Sequence, residues 1–121
     1  MESDILANRL IASIPRFKEL WAIEDIHREE DGSFNSYSLC SFLADFLRFE
    51  HDQITRHELM SIATMIEDIF IEDPDSKWTD GPSLKDAMIV NVLSMAAESQ
   101  RGGESLKSYL GSRALPYWGR P

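Results

Sequence analysis

Cysteine is nearly absent from this chain. Cys40 stands alone among 121 residues, so no internal disulfide can form. Its place within an apolar run suits a small core residue better than a reactive thiol. Long hydrophobic runs are missing too, and nothing approaches the ~20 apolar residues of a membrane-spanning helix. Basic residues are scarce: 12 Lys and Arg face 21 Asp and Glu, for a net charge of −9. Phosphate binding needs clustered cations, so this balance argues against nucleic acid and against anionic membranes as partners. Two readings of the acidity stand: a basic protein partner, which the field of an acidic chain would steer toward it, or a charge that serves solubility alone.

Recognisable chemistry is also lacking. There is no Gly-rich phosphate loop. His27, His51 and His57 show neither metal-ligand spacing nor the His-Glu-x-x-His pattern. Asp73-Pro-Asp75-Ser-Lys77 begins like a calcium loop, but Lys77 stands where a third oxygen ligand belongs. Trp78 replaces the glycine that such a turn needs. Acid pairs such as Asp73 and Asp75 lie in an open polar stretch, without apolar walls to raise a carboxyl pKa. The expectation is a protein that is not an enzyme and takes no cofactor and no metal. The opening Met1-Glu2-Ser3-Asp4 is acidic where a secretory signal is basic, which points to the cytoplasm.

What is present describes one all-α domain over residues 1–121, a bundle of five to six helices with an irregular C-terminal tail. The chain is 43% hydrophobic and 27% charged, ordinary for a packed fold. Ser3 can cap a first helix over 3–14, with Ile5, Leu6, Leu10 and Ile14 as its stripe. Pro15 starts a second helix, carrying Phe17, Leu20, Trp21 and Ile23 and ending near Arg28. After the turn at Asp31-Gly32, Asn35 or Ser36 caps a third helix over 37–49. It is rich in Leu and Phe, with Phe49 near the stripe. Thr55-Arg-His-Glu58 is a capping box that opens a fourth helix, running to about residue 71. Ser83-Leu-Lys-Asp86 opens a fifth, over about 83–99, apolar nearly all round. Asn91 in its middle must find a hydrogen-bond partner. A short helix over about 104–110 precedes a tail in which Tyr117 and Trp118 are the anchors. From residue 101 onward four basic residues face one acid, so this end carries +3 and the rest −12.

The connector between the fourth and fifth helices stands out. Residues 67–80 hold six carboxylates against Lys77, with Trp78 among them. Glu67, Asp68 and Glu72 lie at the negative end of a helix dipole, a locally unfavourable place. Two readings stand: a binding tip with an indole anchor, or a solvated loop whose tryptophan folds back on the core.

The layout resembles a family of small bacterial helical proteins found among the immunity-like partners of secreted toxins. The resemblance is carried by Ile14-Pro15 followed by Phe17 and Trp21, and by the Leu/Phe helix around Leu39 to Leu47. Ile66-Glu67 at a helix end and Asn91 to Glu98 in a buried helix continue it. Leu110-Gly111 and then Pro116-Tyr117-Trp118 close it. The connector, longer and more acidic, departs from that layout. The resemblance implies an inhibitor that binds its cognate toxin domain in the cytoplasm, with no catalytic residues to carry over. An acidic inhibitor suits a basic toxin such as a nuclease. The expected partner-binding residues are Glu67, Asp68, Glu72, Asp73, Asp75, Trp78 and Asp80, with Glu24, Glu29 and Glu30 as a second acidic site. The expected state is a monomer or weak dimer. The alternative is an adaptor or chaperone-like module that docks a partner on an apolar face of the fifth helix.

Overall fold

A computed structural model of the chain describes residues 1–24, 26, 28–72, 83–98 and 103–119. Every regular element among them is helical. In chain order these are α1 (Ser3–Ser13), α2 (Pro15–Ile23), α3 (Ser36–Phe49), a 3-10 turn (His51–Gln53) and α4 (Arg56–Glu72). A continuous helix over 84–98 follows, made of α5 (Leu84–Ala87), a π-helical segment (Met88–Leu93) and α6 (Ser94–Glu98). Then come α7 (Gly103–Lys107) and a 3-10 turn (Leu115–Tyr117).

Local chemistry places most of the boundaries. Asn35 caps α3, its side chain accepting from the Ser38 amide at 2.8 Å. At α4 the capping box forms in both directions. The Glu58 amide donates to Thr55 Oγ1 at 3.1 Å, and the Thr55 amide donates to Glu58 Oε1 at 2.9 Å. Ser83 caps α5, accepting from the Asp86 amide at 3.2 Å. Each such cap satisfies helix-end N–H groups that have no intrahelical partner. Ser3 does not cap α1. Glu2 takes the capping position without a side-chain bond, and Ser3 Oγ lies 2.6 Å from Ser36 Oγ, tying α1 to α3.

The core forms where the apolar stripes meet. Phe17 is fully buried between α2 and α3. Phe42 and Phe46 meet its ring edge-on at 5.3 and 5.4 Å, and Trp21 stacks at 6.1 Å. Leu6, Leu10, Leu39, Leu43, Ile62, Ile66 and Ile69 complete the same cluster from α1, α3 and α4. Cys40 is buried among them and free. The π segment packs against α3, with Met88, Val92 and Leu93 fully buried.

Several sequence expectations need correction. α2 stops at Ile23, not near Arg28, because Glu24 adopts extended backbone. Ile23 then projects outward, as do Ile5 and Phe49, which a stripe reading assigned to the core. The fifth helix is not uniformly apolar in its packing. Val90 and Met95 face solvent, and the π segment changes the helical phase at Met88. A π turn closes i→i+5 hydrogen bonds, so the residues after it no longer follow the 3.6 period. Asn91 Nδ2 is buried there without the partner that its position called for. The last helix is shorter than expected and ends at Lys107.

The tail folds back onto the core. Tyr117 stacks on Phe70 at 5.2 Å, the Lys85 ammonium lies 5.5 and 5.4 Å over those two rings, and Trp118 packs on the core. The Gly119 amide reaches the Leu93 carbonyl at 3.4 Å, so the tail at Gly119 lies against the π segment.

Candidate functional site

The carboxylates that the sequence singles out divide by what they touch. On α4, Glu67 accepts from the Ala114 amide at 3.0 Å and so holds the tail. Asp68 pairs with Arg9 of α1 at 2.9 Å. Glu72 lies 3.0 Å from the Met1 amine. A cation or a donor from another element therefore faces each acid at this negative helix end, which offsets the unfavourable dipole. These three carboxylates join α4 to α1 and to the tail. Asp73, Asp75, Trp78 and Asp80 lie outside the described residues.

Glu24, Glu29 and Glu30 come together. With Arg28 and Gly32 they line one shallow cleft of about 360 Å³ between α2 and α3. The cleft is built on Trp21. The Arg28 guanidinium lies 4.1 Å over the indole, and Arg28 Nη2 donates to the Trp21 carbonyl at 2.5 Å. Phe34 meets the same indole edge-on at 5.2 Å. Trp21 is thus a core residue whose outer face supports the loop. Glu24 Oε1 accepts from the Ile26 amide at 2.9 Å. The Gly32 amide donates to the Glu29 carbonyl and the Glu29 amide to the Ser33 carbonyl, both at 2.9 Å. Gly32 has φ +86°, a conformation that the missing Cβ makes accessible. Asp31 accepts from the Ser33 amide at 2.9 Å, and bonding to Ser33 holds its carboxyl below the ordinary carboxylate range. Asp31 is therefore ionised at neutral pH, and these bonds hold the turn over residues 29–33.

Reading the sequence for acids found these carboxylates but missed the apolar residues next to them in the chain. Ile23 and Ile26, on either side of Glu24 in the sequence, are 78% and 85% exposed. The available signal was Ile26 itself, an isoleucine among Glu24, Asp25, Glu29 and Glu30 with no stripe to join.

A second hollow, of about 240 Å³, is lined by Leu47, His51, Asp52, Ile54, Leu59 and Ser105. It brings together a serine, a histidine and an aspartate. However, His51 Nδ1 lies 3.0 Å from the Arg48 carbonyl and Nε2 lies 3.2 Å from Asp52 Oδ1. Both ring nitrogens face acceptors, so neither presents a lone pair to Ser105, as a hydroxyl-activating base must. Among the described residues no group of three or more His, Cys, Asp or Glu could hold a metal ion. No described helix is long and apolar enough to cross a membrane. Compared with family models, with curated proteins and with solved structures, the chain matches none.

Proposed function

We propose that this chain is an immunity-type protein that binds and neutralises a basic toxin domain in the cytoplasm without chemistry of its own. The observation that supports this most is the cleft over Trp21. It gathers Glu24, Glu29 and Glu30 beside a turn over 29–33 held by hydrogen bonds, while the net charge of −9 supplies a long-range attractive field. A binder of this kind gains association rate from its charge and affinity from the area that it covers. Glu67, Asp68 and Glu72 serve the fold first on this reading.

The test is co-expression with the toxic domain encoded beside this chain, followed by binding kinetics on the purified pair. Growth should be rescued and a 1:1 complex should form. Reversing Glu24, Glu29 and Glu30 to lysine should slow association at least tenfold and flatten its salt dependence. A parallel Asp73, Asp75 and Asp80 reversal compares the other acidic site. Unchanged kinetics in the first triple variant would remove the cleft from the interface. Failure to rescue growth or to form a complex would remove the toxin reading itself.

The second reading is an adaptor that docks a partner on the 84–98 helix. Val90 and Met95 are exposed there, but Met88 and Val92 are fully buried. The apolar face left for docking is thus narrow.

A further inference from the structure

We propose that Ile23 and Ile26 are the anchors of this interface, and that they enter an apolar pocket ringed by Lys and Arg on the partner protein. The proposal rests on the binding function argued above and names the part of the surface that carries affinity.

These two residues are the most exposed large hydrophobics among the described residues. Others that reach solvent are scattered. Phe49 lies under the Arg48 guanidinium at 5.1 Å, Ile5 is on α1, and Met60 and Ile71 lie toward opposite ends of α4. Ile23 instead ends α2 and Ile26 follows three residues on, in the connection to α3. The Ile26 amide donates to Glu24 Oε1, and the Arg28 guanidinium is seated on Trp21. Covering outward aliphatic side chains of this size removes apolar surface from water, which is favourable. Aliphatic anchors inside a charged rim have the anatomy of an interface centre.

Charge chooses the occupant. Glu29, Glu30 and Asp31 are exposed beside the pair. A second copy of the chain would bring the same acids and a further −9 against them. Nucleic acid and anionic lipid would be repelled likewise. A basic protein surface gains from the rim and from the anchors together.

The experiment uses the full chain and two synthetic probes of equal positive charge, polylysine and an amphipathic Leu/Lys helix. Binding is read by calorimetry at two salt concentrations. The Leu/Lys helix should bind at least tenfold more tightly than polylysine. Ile23→Ser with Ile26→Ser should remove that advantage and leave polylysine binding unchanged. Glu29→Lys with Glu30→Lys should weaken both probes. Exposed side chains leave the fold intact, which circular dichroism verifies. Equal binding of the two probes, or an undiminished advantage in the serine variant, overturns the anchor role while leaving the charge-based toxin reading standing. A dimer in sedimentation that the serine variant abolishes overturns it in favour of a second copy.

Discussion

Glu67 serves two neighbours at once. Its carboxylate accepts from the Ala114 amide, and its side chain lies where a Cβ on Gly111 would stand, 2.7 Å from Cδ and 2.9 Å from Oε1. Gly111 therefore gives the carboxylate room to reach the tail. Gly111→Ala should push it off Ala114 and destabilise the fold by about 1–2 kcal/mol, the worth of a part-buried bond to a charged group. Glu67→Gln should cost a similar amount. The double variant should fall short of the sum, because both changes break one contact. Urea unfolding of the three variants measures this. Cys40 gives a pH prediction. Burial raises its thiol from an ordinary 9.0 to about 12, so the folded state keeps a proton that the unfolded chain loses above pH 9. Stability from this group is full below pH 9 and falls as pH climbs toward 12, by at most about 1.4 kcal/mol per pH unit. Unfolding midpoints at pH 8 and pH 10.5 should differ in the wild type by more than in Cys40→Ala. The core role of Cys40 was readable from its apolar neighbours. The Glu67–Ala114 bond was not, because 47 residues separate its partners.

At the scale of elements, helix starts were legible and helix interiors less so. A capping box writes its chemistry within four residues, so Thr55 and Glu58 announced α4 directly. Thr55→Ala should cost about 1 kcal/mol and Thr55→Ser much less, since the serine hydroxyl restores the acceptor. Chemical denaturation of both variants separates the cap from loss of the methyl group. The π segment had no such local mark. Its widened turn depends on how Met88, Val92 and Leu93 settle against α3, which only tertiary packing decides. The cost shows at Asn91, whose Nδ2 is buried and unpartnered. A polar group in that position is expensive, and an apolar one of similar size is not. Asn91→Leu should therefore leave stability unchanged or raise it by up to about 1 kcal/mol. A loss above that range in a thermal melt would mean that the amide holds the π turn. α2 shows the opposite failure. Its apolar spacing continued through Ile23, but the extended backbone at Glu24 ended the helix and turned the next isoleucine outward.

For the whole molecule, an excess of acid was plain from composition, but its division between fold and surface was not. Arg9 and Asp68 are 59 residues apart, and only the packing of α1 on α4 makes them a pair. The sequence ranked the α4 end above the α2–α3 loop because its carboxylates are denser. The structure gives the α4 acids partners from other elements and gathers the loop acids around an open cleft. Two double variants with equal change in net charge put this division to the test. Glu29→Lys with Glu30→Lys alters exposed positions and should shift stability by no more than about 0.5 kcal/mol. Glu67→Lys with Asp68→Lys sets ammonium groups against the Ala114 amide and Arg9. That variant should lose about 2 kcal/mol or more, because breaking existing pairs and adding like-charge contacts act together. At this chain length such a loss lowers Tm by several degrees. Both variants reduce the long-range field equally, so equal stabilities would show that total charge alone governs the fold. Unequal stabilities in the stated order would show that the α4 carboxylates belong to the scaffold and that Glu29 and Glu30 do not.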